Sequence, residues 1–122
     1  MNQRGRSILV VDDEPLIAET LTLILRDAGF HPHVAHNATS ALELIQQVRP
    51  DLMLTDVILP GMNGLELAVR VRQLLPHCRI LLFSGQAVTA DLLELAKQAG
   101  GEAFEVLPKP IDPEELLTKL RQ

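Results

Sequence analysis

Aromatic side chains are almost missing from this sequence, which has three Phe residues and neither Trp nor Tyr. Because 47% of the residues are hydrophobic, a sizeable core must still form, and Leu, Ile, Val and Ala have to build it. Such a composition is typical of a sheet that helices cover on both faces. The single cysteine, Cys78, excludes an internal disulfide and fits a reducing compartment. We interpret it as a small buried hydrophobe rather than a reactive thiol.

Long runs of apolar or basic residues are missing as well. The N-terminal segment has only four apolar residues in a row before the first charges, too short for a signal peptide or a membrane span. Apart from Arg4 and Arg6 no basic cluster occurs, and the net charge of −5 disfavours a nucleic-acid surface within this domain. The absence of G-x-G-x-x-G and P-loop motifs argues against nucleotide binding. We therefore expect a soluble, cytoplasmic chain that forms one domain over residues 1–122 and contacts no membrane.

Short apolar runs alternate with segments of helical periodicity along the chain. The pattern predicts five strands, over residues 7–12, 31–36, 51–56, 78–85 and 102–107. It predicts five helices, over residues 14–29, 37–50, 64–75, 89–100 and 112–122, with N-caps at Asn37, Asn63 and Asp112. Strict alternation with short connections predicts an α/β fold with a doubly wound, five-stranded parallel sheet. The second strand is the more polar one and is expected at an edge.

Polar side chains follow the strands at the ends that a parallel sheet brings together, where such sheets bind ligands. These residues are Asp12 and Asp13 after the first strand, Asp56 and Ser84 at the third and fourth, and Lys109 after the fifth. Clustered carboxylates repel one another, and a hard divalent cation such as Mg²⁺ would relieve the repulsion. With a lysine and a hydroxyl beside it, such a site can hold a phosphoryl group, and one carboxylate can be the nucleophile.

Other classes of function share parts of this pattern. A Mg²⁺-dependent phosphohydrolase with an aspartyl nucleophile also clusters carboxylates, but it usually carries a second Asp two residues after the nucleophile, where this chain has Ile58. A non-phosphorylated interaction module or a flavin-binding module of the same fold is the second alternative. The complete acidic set argues against the former, and the aromatic-poor loops argue against flavin stacking. Each acidic residue taken alone also suits a helix cap or a solvated charge.

The sequence resembles the receiver domains of two-component response regulators, the CheY-like family. The residues that carry the resemblance are ILVVDDEP (8–15), DLMLTDVILPGMNGLEL (51–67), ILLFSG (80–85) and LPKPI (107–111). The resemblance covers essentially the whole chain and implies a flavodoxin-like fold with strand order 2-1-3-4-5. It implies a phosphoprotein of a phosphorelay rather than an enzyme, one that catalyses at most its own phosphorylation and dephosphorylation.

The resemblance gives a role to each acidic residue of the predicted site. Asp56 matches the phosphoacceptor, which a sensor histidine kinase or a small phosphodonor would phosphorylate. Asp13 matches a direct Mg²⁺ ligand, and Asp12 matches its partner, which often acts through water. Asp56 itself and the backbone carbonyl of Ile58 would complete the metal site.

The resemblance also gives roles to the hydroxyl, the lysine and their surroundings. Ser84 matches the hydroxyl that moves to bind the phosphoryl group, and Lys109 matches the lysine that pairs with it. The bond between Lys109 and Pro110 corresponds to one that is cis in the family. The implied readout surface is built by the fourth helix, the fifth strand and the fifth helix. It would contact an output domain or protein, or a second copy in a phosphorylation-dependent homodimer.

One position departs from the family pattern. An aromatic residue usually stands three positions before the lysine, where this chain has Val106, and the nearest aromatic is Phe104. Three interpretations stay open: Phe104 takes the switch role through a shifted strand, the switch works without an aromatic, or Phe104 is an ordinary core residue.

Two further sets of residues bear on chemistry. Ile58 and Gln86 correspond to positions that tune the lifetime of the phosphoryl group. Since apolar Ile58 cannot orient a water molecule, whereas the amide of Gln86 can if it reaches the phosphoryl group, we expect slow self-dephosphorylation. His31, His33 and His36 suit a metal poorly, because the first two share one face of a strand and the third points away.

Overall fold

The computed structural model describes residues 6–85 and 104–122, together with Glu94 and Gln98. Its strands are β1 Ser7–Val11, β2 His31–Ala35, β3 Leu52–Asp56, β4 Arg79–Ser84 and β5 Glu105–Pro108. Its helices are α1 Pro15–Asp27, α2 Ala38–Val48, α3 Gly64–Leu74 and α4 Pro113–Leu120. The helix predicted over residues 89–100 lies outside the described residues, except for Glu94 and Gln98, which are both helical.

The strands form one parallel sheet in the order β2-β1-β3-β4-β5. This order confirms the predicted doubly wound α/β fold, and it places the polar strand β2 at an edge of the sheet. The strand bounds agree with the sequence prediction to within one residue for the first four strands. No helix among the described residues is both long enough and apolar enough to cross a membrane.

Strand β5 forms the other edge and differs from its prediction. It begins at Glu105, and Phe104, which the prediction included, precedes it; residues 102 and 103 of the predicted strand lie outside the described part of the chain. It also continues through Pro108, which is in register with Ser84 of β4. A proline is tolerated there because an edge strand has a neighbour on one side only.

Two apolar cores cover the two faces of the sheet. Alternate residues of β1 show the division, since Leu9 and Val11 pack with α2 and α3, whereas Ile8 and Val10 pack with α1 and α4. The central strand β3 is buried along its whole length, including the polar Thr55 and Asp56 at its carboxyl end. Leu, Ile, Val and Ala fill most of both cores, as the composition requires.

The helix termini follow the predicted capping residues. Asn37, Asn63 and Asp112 each accept a hydrogen bond from a backbone amide in the first turn of α2, α3 and α4 respectively. These caps satisfy amides that have no partner within the helix. Pro113 occupies the first turn of α4, where its missing N–H costs no hydrogen bond. The interpretation of Asn37 as an N-cap is therefore confirmed.

A salt bridge ties β4 to β5 at the end of the sheet where the strands begin. The guanidinium of Arg79 donates two hydrogen bonds to the Glu105 carboxylate, at 2.7 and 2.9 Å, in the two-point geometry that suits this pair. Nζ of Lys119 in α4 lies 4.0 Å from the same carboxylate. The hydrogen bonds from Arg79 lower the pKa of Glu105 below its ordinary value.

We expect Glu105→Gln to destabilise the fold at neutral pH by no more than about 1 kcal/mol, because solvent screens this partly exposed pair. The folded-state pKa of Glu105 is lowered, so its stabilisation is present above the unfolded value of 4.5 and is lost as the pH falls through the folded value. Urea unfolding of both proteins at several pH values between about 7 and about 3 measures the difference. Glu43→Gln on the exposed side of α2 is the matched control, and a difference that does not shrink with falling pH would contradict the prediction.

Candidate functional site

The carboxyl ends of four neighbouring strands bring the predicted polar side chains together. Asp12 and Lys109 follow β1 and β5 directly, whereas Asp56 and Ser84 are the last residues of β3 and β4. Since β1, β3, β4 and β5 are consecutive in the sheet, these residues lie side by side. The site therefore forms at the end of the sheet that open α/β folds use for ligands.

Three carboxylates converge at this end of the sheet. One oxygen atom from each of Asp12, Asp13 and Asp56 lies within 4.8 Å of the others. Asp12 is fully buried and Asp56 is 7% exposed, whereas Asp13 is open to solvent. Carboxylate oxygens are the ligands that hard divalent cations prefer, and the exposed member leaves room for the water molecules that Mg²⁺ retains. The residues present fit the ion that the sequence predicts.

Asp12 is held in place by hydrogen bonds on its side chain and on its backbone. Its Oδ1 accepts from the amide of Glu14 at 2.8 Å, and its own amide donates to the carbonyl of Ala35 at 3.1 Å. Nδ1 of His36 donates to the carbonyl of Asp12 at 2.9 Å. Sequence reasoning gave His36 no role here, although its position directly after β2 places it at the same end of the sheet.

Both carboxylate oxygens of Asp56 have a donor. Oδ1 accepts from the amide of Ile58 at 3.0 Å, and Oδ2 accepts from Nζ of Lys109 at 2.8 Å. The two contacts approach from different elements, the loop after β3 and the residue after β5. Together they fix the orientation of a carboxylate that is almost completely buried.

Glycine at position 64 allows α3 to begin directly against Asp56. A Cβ atom on Gly64 would lie 1.9 Å from the carbonyl oxygen of Asp56, so no other residue fits without movement of the backbone. The amide of Gly64 donates to the carbonyl of Val57 at 2.7 Å. Asn63 and Glu66 form a capping box that fixes the same helix start. The Asn-Gly pair thus shapes the loop that carries Ile58.

Lys109 reaches into the site from the end of β5. Its Nζ lies 2.8 Å from Oδ2 of Asp56 and 3.4 Å from Oδ2 of Asp12, and its amide donates to the carbonyl of Ser84 at 2.8 Å. The bond between Lys109 and Pro110 is cis, the isomer that the resemblance implied. The ammonium also lies over the ring of Phe83, 4.7 Å from its centroid, a contact that sequence reasoning missed.

The charges of the site shift one another's ionisation. Burial raises the pKa of Asp12 above its ordinary value, an effect that the Glu14 amide and the Lys109 charge only partly offset. Burial lowers the pKa of Lys109, but the hydrogen bond and charge of Asp56, together with the charge of Asp12, outweigh it and the pKa is raised. Three carboxylates therefore face one firmly protonated lysine, and the excess negative charge favours a divalent cation.

The resemblance gives Ile58 and Gln86 a role in the lifetime of the phosphoryl group. Ile58 lies at the rim of the site with a side chain that is 57% exposed. Gln86 lies outside the described residues. An exposed apolar side chain next to Asp56 offers no hydrogen bond to a water molecule.

The aromatic candidate Phe104 lies at the far end of β5 from Lys109. It is 3% exposed, it packs in the core beneath α2 and α3, and its ring contacts the guanidinium of Arg72 at 5.0 Å. Val106 pairs with Leu82 in a regular register, so β5 is not shifted in a way that would bring Phe104 to the site. This geometry favours the interpretation of Phe104 as a core residue.

Other residues that sequence reasoning considered lie away from this site. The rings of His31 and His33 are 5.2 Å apart on β2, where burial and the charge of His31 lower the pKa of His33. Cys78 is buried, and burial raises the pKa of its thiol to about 11, which fits a core residue. In the part of the chain that the structure describes, the three carboxylates above are the one group of three or more side chains suited to a metal.

Comparisons with known proteins agree with this arrangement. A family model described as the response regulator receiver domain matches residues 8–121. The DNA-binding response regulator MtrA of Mycolicibacterium smegmatis is 36% identical over 121 residues, which cover 99% of this chain and 51% of that protein. The DNA-binding transcriptional regulator NtrC of Azospirillum brasilense is 37% identical over 112 residues, 92% of this chain and 23% of that protein. The chain thus spans about half the length of the first relative and less of the second.

Solved structures with the same fold cover almost the entire chain. Chemotaxis protein CheY4 of Vibrio cholerae has a TM-score of 0.89 and 30% identity, with 96% of this chain and 97% of that chain covered. A CheY-like receiver domain protein from Methanospirillum hungatei has a TM-score of 0.88 and 30% identity, with 96% and 91% covered.

We expect Asp12→Asn to stabilise the protein at neutral pH when Mg²⁺ is absent. The folded-state pKa of Asp12 is raised, so its ionised form costs stability at neutral pH, and this cost vanishes below the unfolded value of 3.8. The asparagine keeps an oxygen for the Glu14 amide. Thermal unfolding in a chelator at several pH values measures the difference in stability between Asp12→Asn and the native chain. This difference should disappear in acid.

With excess Mg²⁺ the native sequence should become more stable than Asp12→Asn. An ion that binds the folded state stabilises it by mass action, and the native sequence keeps the carboxylate that the variant lacks. Asp27→Asn, at the exposed end of α1, removes the same charge away from the site and serves as the control. The account of the site would be contradicted if Asp12→Asn were less stable than the native chain in chelator. It would also be contradicted if Mg²⁺ stabilised Asp12→Asn as much as the native chain.

Proposed function

The chain belongs to the family of response regulator receiver domains, and on that premise we propose that it is a signalling switch in which Asp56 accepts a phosphoryl group. The observation that carries the proposal is the contact of 2.8 Å between Nζ of Lys109 and Oδ2 of Asp56. A fixed positive charge at the carboxylate is what a phosphoryl group needs on arrival, since its oxygens carry negative charge.

Asp56 is the best suited of the three carboxylates to be the acceptor. Asp12 is 0% exposed, and Asp13 is open to solvent, whereas Asp56 is almost buried but still accessible. Asp56 is also the residue that Lys109 contacts at the shorter distance. The remaining two carboxylates are then free to act as ligands of a cation.

The reaction is a displacement at phosphorus. A carboxylate oxygen of Asp56 forms the new bond, and the bond from phosphorus to a histidine nitrogen of a sensor kinase, or to the leaving oxygen of a small phosphodonor, breaks. The leaving group keeps the electron pair. Lys109 would neutralise charge on the transferred oxygens, since its ammonium lies 2.8 Å from Oδ2 of Asp56. In this proposal the chain catalyses at most its own phosphorylation and dephosphorylation.

Asp12, Asp13, Asp56 and the backbone carbonyl of Ile58 would hold Mg²⁺. When bound, the ion supplies charge neutralisation and orients the phosphoryl oxygens. The donor set supports this assignment, because every side chain in it is a carboxylate and the cluster carries excess negative charge.

The switch acts through the junction of β4 and β5. Ser84 and Lys109 are joined by a backbone hydrogen bond of 2.8 Å, which links the residue whose hydroxyl would bind the phosphoryl group to the segment that leads into α4. The readout surface is then the last two β–α units. A kinase and an output domain or protein are the proposed partners, a view supported by relatives that are named as DNA-binding regulators. A phosphorylation-dependent homodimer is a further form of output.

Incubation with acetyl phosphate and Mg²⁺ should add the mass of one phosphoryl group to the chain. The gain should be lost in Asp56→Asn and on removal of Mg²⁺, because both the nucleophile and the charge neutralisation are needed. Intact-protein mass spectrometry is the measurement, and Asp27→Asn is the control for loss of one exposed carboxylate. No mass gain in the native chain, or a gain that survives Asp56→Asn, would overturn the proposal.

The phosphoryl group on the native chain should decay slowly. Ile58 is exposed beside Asp56 and cannot orient an attacking water, whereas Ile58→Asn supplies an amide that can, so this variant should lose phosphate faster. Decay of the phosphorylated mass after removal of the phosphodonor measures both rates, and Ile58→Val controls for altered side-chain volume. A lifetime of only seconds in the native chain with Mg²⁺ would show that Ile58 does not have this role.

A further inference from the structure

Phe83 lies in β4 at the point where the sheet meets the proposed phosphoacceptor. Its backbone is in register with Asp56 of β3, and its carbonyl accepts a hydrogen bond of 2.9 Å from the amide of Val57, the residue that follows Asp56. Its side chain is fully buried in the core formed with α1 and α4. The backbone of Phe83 thus contacts the loop after Asp56, and its ring packs in the core that the sheet forms with α1 and α4.

The ring of Phe83 is a neighbour of the Lys109 ammonium. Nζ lies 4.7 Å from the ring centroid, within the range in which the negative face of an aromatic ring attracts a cation. The side chain of Lys109 is only 18% exposed, so little water surrounds the charge, and the attraction is stronger than at an open surface. Among the described residues, the carboxylates of Asp56 and Asp12 and the ring of Phe83 therefore attract the ammonium.

We propose that Phe83 is a positioning residue, whose ring holds the Lys109 ammonium beside Asp56 and so increases the rate of phosphoryl transfer. The inference rests on the proposed function of Asp56. Phe83 touches neither the phosphoryl group nor the reacting oxygen, and it acts through Lys109. The sequence gives the ring particular weight, since the chain has three aromatic residues and Val106 occupies the position where the resemblance implies an aromatic.

The space next to the ring explains why a positioning residue matters here. Phe83 and Lys109 line a cavity of about 350 Å³ that continues between α1 and the segment after β5, where Leu16, Thr20 and Ile111 form further parts of the wall. A lysine side chain has several rotamers, so attractive contacts are needed to keep its ammonium in one of them. The attraction of the ring favours the rotamer that keeps the charge at the carboxylates.

Fluorinated phenylalanines at position 83 test the inference, because fluorine withdraws electrons from the ring face and changes the shape little. We expect the rate of phosphorylation by acetyl phosphate with Mg²⁺ to fall in steps from phenylalanine to 4-fluoro- and 3,4,5-trifluorophenylalanine, by about fivefold over the series. Thermal stability should change little, because the side chain remains large and apolar and the two carboxylates still hold the ammonium. A role in packing alone predicts a flat series, and that result would overturn the inference.

Phe104 provides the matched control, since its ring is also buried and also contacts a cation, Arg72 at 5.0 Å. The same fluorinated residues at position 104 should leave the rate unchanged. An equal fall at both positions would show a general effect of fluorine and would contradict a role specific to Phe83. If the native chain takes up no phosphoryl group, the proposed function fails, whereas uptake with a flat series at position 83 defeats the inference alone.

A second measurement does not depend on phosphorylation. The ring current of Phe83 should move the NMR signals of the Lys109 Cε protons upfield, and Phe83→Leu should return them to the ordinary position for lysine. The Phe83→Leu variant is used only if its amide spectrum shows a folded chain. If it does not, the protein with 3,4,5-trifluorophenylalanine at position 83 replaces it, and a change in the Lys109 signals is expected in that protein as well. Lysine signals that are ordinary in the native chain would overturn the inference.

Discussion

A single ammonium group between two buried carboxylates determines the charge balance of this protein's site. Nζ of Lys109 contacts Asp56 and Asp12 at 2.8 and 3.4 Å, across sequence separations of 53 and 97 residues. Without that charge, two carboxylates with almost no access to water would face each other with no cation between them. The charge balance of the acidic cluster therefore depends on where β5 places one lysine.

Strand β4 fixes the position of β5, and hence of Lys109, along its whole length. Arg79 pairs with Glu105 where the two strands begin, and the carbonyl of Ser84 accepts from the amide of Lys109 where they end. Between these contacts, Phe83 places its ring beneath the ammonium. One strand thus supplies an ion pair, a backbone hydrogen bond and an aromatic face to its neighbour, and an error in the register of β5 would remove all three together.

Much of the fold was predictable because its signals are local. Apolar runs and helical spacing predicted the strands and helices, and the amides at helix starts need the caps that Asn37 and Asn63 supply. The acidic cluster followed from one further rule, that parallel strands end at the same place. The contacts of Phe83 and His36 were not predictable, because they depend on which strand lies beside which and on the direction of each side chain. The register of β5 likewise decided that Phe104 belongs to the core.

The sequence by itself determined the order of strands and helices, the apolar composition of the core and the set of polar residues at the strand ends, because periodicity, capping and turn chemistry act between residues close in the chain. Family resemblance added the proposed roles. Only the tertiary structure decided the distances within the site, the burial that raises the pKa of Asp12 and the contact between Lys109 and Phe83. These quantities arise between residues far apart in sequence, and they exist only once β1, β3, β4 and β5 have paired.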